Sequence, residues 1–208
     1  MTDIPHLLSI GEFSSRSRLS VRMLRHYDAH GVLVPALLDA LIDHGDIPMS
    51  ITVTRHTVPA RTLVGLRGTV PAYDREGELW ARFMPELAAQ GLTPVGPGGV
   101  IENDPDYREA DVDETVWLPV APGTTVRSPL LLLDLPAMEV AMADVTGPYT
   151  LITEAHARIE DFLREEGLSV AARDGEAPVE QRVFNVYLND PSQAAPEELR
   201  TQVCVPLA

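Results

Sequence analysis

The sequence predicts an α+β fold: a small N-terminal helix-turn-helix joined to a duplicated strand-helix-strand-strand domain, whose curved antiparallel sheet carries its helices on one face. Three observations predict it. Turn and helix-stop residues recur in the same order in two stretches of the chain beyond residue 50. Four arginines gather near the N-terminus of an otherwise acidic chain. The composition, 45% apolar and 23% charged over 208 residues, supports a sizeable core and suits one ordinary domain with a small appendage.

The N-terminal elements follow from helical spacing. Leu8, Ile10 and Phe13 mark a short helix with Ser9 as a candidate N-cap. After the polar break at residues 15–18, Ser20 opens a second pattern, Val21, Leu24 and Tyr27, which Gly31 ends. Two short helices with a turn between them make a helix-turn-helix, assigned to residues 1–35. Arg22, Arg25 and His26 project from one exposed side of the second helix, the kind of face that enters a major groove. Residues 1–35 carry Arg16, Arg18, Arg22 and Arg25 against Asp3, Glu12 and Asp28, a net +1, within a chain of net charge -15. That asymmetry fits a nucleic-acid-facing end on an acidic body. Residues 36–50 read as a short apolar helix and a Gly/Pro linker.

Residues 51–208 form the second domain. Strands are expected at 51–58 and 61–69, bounded by Pro59 and Pro71, then a helix at 73–90 closed by Gly91, a strand near Val100 and another at 114–121. The order then repeats: a strand at 138–145, a helix at 149–166 closed by Gly167, and strands at 183–188 and 201–207. Gln90-Gly91-Leu92 matches Glu166-Gly167-Leu168, Asn103-Asp104-Pro105 matches Asn189-Asp190-Pro191, and Leu118-Pro119-Val120-Ala121 matches Val205-Pro206-Leu207-Ala208. Two such units pair most economically edge to edge, leaving the helix-free face curved and available.

Several function classes lose their support. No apolar run approaches the roughly 18 to 20 residues of a membrane span, and Asp3, with no basic residue, precedes Leu7 and Leu8, so no membrane partner or secretory start is expected and the protein reads as cytoplasmic. The single cysteine, Cys204, lies in an apolar strand and reads as a packed thiol. The six histidines fall in no metal-ligand spacing, and no phosphate loop, dinucleotide fingerprint or nucleophile elbow occurs, so neither metal nor cofactor nor catalytic residue is expected.

Strand alternation nominates a ligand site instead. It sets Phe184, Val186 and Leu188 beneath the helices and Asn185 and Tyr187 on the opposite side. With Thr115, Trp117 and Gln202 these would form a helix-free wall of flat rings and hydrogen-bonding groups, joined by Tyr149, suited to a hydrophobic aromatic molecule.

At these residues the chain resembles two families. Ser9-Ile10-Gly11-Glu12-Phe13, followed by Ser20-Val21-Arg22-Met23-Leu24-Arg25-His26-Tyr27-Asp28, resembles the start of MerR-family transcriptional regulators. The resemblance implies promoter DNA as a partner, with Arg16, Arg18, Ser20, Arg22, Arg25, His26 and Tyr27 at the interface, Arg22 and Arg25 on phosphates or base edges and Tyr27 buttressing a backbone contact. It also implies a homodimer, but the family's β wing and long dimerising helix are missing between Pro35 and residue 51. Residues 51–208 resemble the GyrI-like effector-binding domain, through Gly147-Pro148-Tyr149, Val186-Tyr187-Leu188-Asn189-Asp190-Pro191 and Glu198-Leu199-Arg200-Thr201 leading into Val203-Cys204-Val205-Pro206. This implies binding of multidrug-type small molecules. Where the family commonly has glutamates, this chain has Asn185 and Gln202, so a neutral ligand is expected unless other acids such as Glu114 or Asp144 line the pocket. The leading reading is a regulator with a drug-binding domain. A drug-sequestering protein with a vestigial DNA-binding head, and a hydrolase of an electrophilic natural product, remain open beside it.

Overall fold

The computed structural model describes residues 49–171 and 177–208, within the unit Pro48–Ala208. The expected helix-turn-helix with Arg16, Arg18, Ser20, Arg22, Arg25, His26 and Tyr27, and the short helix expected within 36–50, fall on residues outside those described. The elements are β1 (Ser50–Val58), β2 (Arg61–Val70), α1 (Gly77–Ala89), β3 (Gly99–Glu102), β4 (Val112–Val120), β5 (Leu131–Leu135), β6 (Met138–Thr146), α2 (Ile152–Glu166), β7 (Phe184–Tyr187) and β8 (Arg200–Pro206). Each helix is preceded by a short 3-10 turn, Tyr73–Arg75 or Tyr149–Leu151, and the residues past their ends, Gly91 and Gly167, both adopt φ +65, the left-handed stop a glycine supplies without strain.

All eight strands form one antiparallel sheet in the order β1-β6-β8-β7-β3-β4-β2-β5. The duplication is visible in that order. Outward from the central seam β3–β7, the first unit runs β3, β4, β2 and the second runs β7, β8, β6, related by an approximate two-fold. The repeated Asn-Asp-Pro segments end their strands in polar turns, Asp104 accepting the Asp113 N–H and Asp190 the Ser192 N–H, each at 2.8 Å. The outermost strands are exchanged: β1 precedes β2 in the chain but pairs with β6, and β5 precedes β6 but pairs with β2. Strand β5 is an element the alternation did not predict, because Leu130-Leu131-Leu132-Leu133 is a continuous apolar run without a period.

This exchange dictates the curvature. Residues 59–60 join β1 to β2, and 136–137 join β5 to β6. Such a link spans about 11 Å, yet in a flat sheet β1 and β2 would stand six strand spacings, about 29 Å, apart. The sheet therefore curls until its ends meet, and the helix-free face becomes an interior. One apolar cluster there joins residues from both ends and the middle: Val58, Leu63, Leu135, Val140, Met142, Ile101, Trp117, Phe184, Val186 and Cys204. The expectation of an open helix-free face is corrected accordingly; Trp117 is 1% exposed.

The helices pack on the outer face, each over its own unit. Leu79, Phe83 and Leu87 of α1 cover Val64, Leu66, Val70, Val100, Val112 and Val116. Ala155 and Ile159 of α2 cover Ala141, Ala143, Val145, Val203 and Val205. The central strands β3 and β7 run between them. Gly99 is required at this seam, since a Cβ there would lie 1.9 Å from the Asn185 carbonyl oxygen.

Candidate functional site

Residues directly opposite one another in an antiparallel pair share a face. Tyr187 faces Thr201, Asn185 faces Val203 and Val100, Val100 faces Val116, and Glu102 faces Glu114. Val100 and Val116 lie beneath α1 and Val203 beneath α2. Asn185, Tyr187, Thr201, Glu102 and Glu114 thus belong to the outer, helix-bearing face. Val186 faces Gln202 and Gly99, Gly99 faces Trp117, and Ile101 faces Thr115. Thr115, Trp117 and Gln202 therefore lie on the inner face, with Phe184 and Val186. The expected wall is split: the sheet separates Trp117, Thr115 and Gln202 from Tyr187, Asn185 and Tyr149. Thr115 accepts from Asn103 Nδ2 at 2.9 Å, and Gln202 donates to Asp144 at 2.9 Å, so both serve inner-face or rim structure.

On the outer face the residues that do come together make a cluster of rings and carboxylates, referred to below as the outer-face recess. Tyr149, at the start of the 3-10 turn before α2, sets its ring 5.3 Å from that of Tyr187, tilted by 54°. The Tyr187 hydroxyl donates to Glu76 at 2.6 Å, and the Trp80 indole N–H donates to the other oxygen of the same carboxylate at 2.6 Å. Glu76 occupies the N-cap position of α1, and Trp80 lies one turn further on. Burial raises the Glu76 pKa against the pull of these two hydrogen bonds, and it drives the Tyr187 hydroxyl well above its ordinary value.

Glu114 is the most unusual group here. It alternates into the outer face of β4 between Val112 and Val116, is 1% exposed, and its Oε2 has no hydrogen-bond partner. Burial, reinforced by the neighbouring charges of Glu76, Glu102, Asp104 and Asp113, pushes its pKa to about 8. Asn185 Oδ1 and Thr201 Oγ1, on the same face, are also buried without partners. His156 of α2 lies 3.9 Å from Glu102. The recess thus offers acceptors and negative potential beside aromatic faces, with few donors. Its natural complement is a flat or bulky apolar molecule that carries positive charge or N–H groups.

Glu76, Glu102, Trp80 and Thr201 were not among the residues the sequence nominated for this site, and Glu114 entered only as an acid that would line the pocket of a cation-preferring chain. Glu114 did leave a signal: a glutamate in phase with Val112, Val116 and Val120 is a carboxylate on the core side of a strand. Glu76 left a weaker one, its i,i+4 spacing to Trp80 at the start of a helix.

A duplicated α+β sheet with a cluster of aromatic rings and carboxylates on its helix-bearing face is the architecture of a class of small-molecule-binding domains. Residues 52–208 match the family described as the GyrI-like small molecule binding domain, and the chain belongs to that family. No curated protein matches the chain at a significant level. Among solved structures, the C-terminal domain of EcmrR is similar with a TM-score of 0.67 at 16% identity, covering 77% of this chain and 99% of that one. EcmrR in its complex with DNA is similar with a TM-score of 0.62 at 12% identity, covering 97% of this chain and 77% of that one. A hydrolase from Listeria innocua (TM-score 0.53, 18% identity, 76% of this chain and 92% of that one) and SAV2435 bound to tetraphenylphosphonium (TM-score 0.51, 11% identity, 76% and 94%) share the fold.

Proposed function

We propose that this domain binds a hydrophobic, positively charged small molecule in the outer-face recess, and that the chain is a transcriptional regulator reporting that molecule to DNA through residues 1–35. One observation carries the ligand class: Glu114, whose buried Oε2 has no partner and whose pKa is pushed to about 8 by burial and then by the charges of Glu76 and Glu102, in the field of the Tyr187 hydroxyl beside the Tyr149 ring. A cation entering there exchanges its hydration for a countercharge and relieves repulsion among Glu76, Glu102 and Glu114. This reverses the preference drawn from the amides at Asn185 and Gln202. Those positions are neutral, but the carboxylates around the recess supply the charge. SAV2435, solved with the lipophilic cation tetraphenylphosphonium, supports the reading by its shared fold.

Calorimetry with tetraphenylphosphonium and its neutral analogue triphenylphosphine oxide tests the ligand class. The cation should bind with micromolar affinity, at least about tenfold tighter than the analogue, a difference of about 1.4 kcal/mol. Equal affinities would remove the basis for a cationic ligand. The regulator reading is supported by the MerR-like N-terminal motif and by EcmrR, whose DNA complex is similar over 97% of this chain. It predicts that replacing both Arg22 and Arg25 with Ala abolishes binding to the DNA upstream of the gene. If the parent protein binds that DNA no better than the double variant, the chain instead sequesters its ligand.

A further inference from the structure

The apolar cluster of the inner face holds a cation against it. Arg61 opens β2 beside the exposed 59–60 link, where the two ends of the sheet meet. Its guanidinium carbon lies 4.7 Å from the ring centroids of both Trp117 and Phe184. Cation–π attraction compensates part of the lost hydration. The hydrogen-bonding capacity is not compensated: Arg61 Nε and Nη2 are buried without a partner, and so is Nε1 of Trp117, on one of the two rings that flank the guanidinium.

A buried charge ordinarily finds a countercharge. Here the ionisable group in the field of Arg61 is the Cys204 thiol, which burial pushes up to about 12, so it is neutral at physiological pH. Meanwhile more exposed arginines are satisfied: Arg55 pairs with Glu139 at 2.8 Å and Arg67 with Asp113 at 2.6 Å. The pairing is inverted relative to the usual pattern, with carboxylates on the surface cations and none on the enclosed one. Nε–H and Nη2–H together form one edge of the guanidinium, two parallel donors whose geometry matches the two oxygens of a carboxylate or phosphate group. The indole N–H offers a third donor to the same neighbourhood.

We propose that Arg61 and Trp117, with Phe184 as the second wall, form an oxyanion site beneath the exposed 59–60 link that takes the carboxylate of a small organic acid. It lies on the opposite face from the recess of Glu76 and Glu114 and binds the opposite charge. The ligand's acid group docks on the Nε/Nη2 edge, and its apolar body lies against the inner-face cluster.

The test is calorimetry on the full chain with sodium benzoate and, separately, inorganic phosphate, at one ionic strength set with a weakly coordinating salt. Saturable benzoate binding, accompanied by a rise in melting temperature, is the expected result. Saturation by phosphate with equal affinity would show that the site takes the bare oxyanion, which overturns the organic-acid assignment. Arg61→Gln should abolish benzoate binding, and Glu114→Gln should leave it unchanged. Should Arg61→Gln not fold, Trp117→Phe, which keeps a ring but removes the N–H, should weaken benzoate by about tenfold, the scale of one lost hydrogen bond to a charged group. No saturable response to either anion, or benzoate affinity unaltered in both variants, overturns the proposal.

Discussion

Replacing Glu114 with Gln removes the ionisable group at the centre of the recess while keeping its shape. A glutamate ordinarily titrates at 4.5, and in this fold Glu114 titrates at about 8. The folded state therefore holds its proton more tightly than the unfolded chain. Unfolding below pH 4.5 exchanges no proton at this site. Between 4.5 and about 8 the native state binds more protons than the unfolded state, so stability falls as pH rises, and above 8 the loss is complete. The shift sets a ceiling of about 5 kcal/mol on that loss. Glu76, whose charge adds to the Glu114 shift, also has a raised pKa, which spreads the transition and keeps the share that Glu114→Gln recovers below that ceiling. Urea unfolding of both proteins at unit intervals from pH 5 to 9 measures it. The variant should match the wild type near pH 5 and exceed it progressively toward pH 8. Cation affinity carries the same signature in reverse: it should rise with pH in the wild type, by at most about tenfold per unit for this one group, and rise less steeply in the variant, where Glu76 remains. Unfolding curves that run parallel from pH 5 to 8 would show that Glu114 is hydrated in solution, and the argument for a cationic ligand would lose its main support.

Other expected outcomes concern the seam and the recess. Tyr187→Phe deletes the 2.6 Å hydrogen bond to Glu76 and should cost about 1–2 kcal/mol in denaturant unfolding; a variant as stable as the wild type would mean that bond contributes nothing. Gly99→Ala forces a Cβ against the Asn185 carbonyl and within 2.6 Å of the Trp117 ring, so a loss of about 3 kcal/mol is expected, and a neutral result would refute the tight β3–β7 approach. Ile159→Ala empties the contact beneath α2 and should cost about 2–5 kcal/mol by the same assay. Arg67→Ala, which breaks an exposed pair with Asp113, should change stability by less than about 1 kcal/mol.

Most of the element order of the second domain was legible because its boundaries are local chemistry. Gly91 and Gly167 end helices by adopting a conformation other residues resist, and Asp104 and Asp190 turn the chain with their own carboxylates; such signals need no knowledge of distant residues. The composition of the site was not legible in that way. Alternation establishes that Tyr187 and Asn185 share one side of a strand and Phe184 and Val186 the other, but it does not say which side the helices cover. That depends on the registers Asn185↔Val100 and Val186↔Gln202, the first set by pairing between segments 85 positions apart, and on the Gly99 contact. Grouping by chemistry puts Trp117 and Tyr187 on a common face, whereas the registers of β4 and β7 on β3 put them on opposite ones. Closure of the sheet was hidden for a related reason: it follows from which strands exchange partners, and the apolar run that forms β5 carries no period to betray it.

The exchanged outer strands bear on how this domain arose and how it folds. Each duplicated unit keeps one strand whose sheet partner belongs to the other, so neither half can satisfy its own backbone alone. Cut between β4 and β5, a single half would present the bare edge of β2 and a stray β1, and two copies would complete each other as a swapped dimer. The present chain is that dimer written as one polypeptide, which fixes the two halves in register and leaves them free to diverge. On the helix-bearing face β4 carries a glutamate at position 114 where the corresponding position of β8 carries Thr201. The same arrangement makes closure a late event in folding, because β1 must wait for partners 80 to 96 residues further along the chain before its hydrogen bonds form.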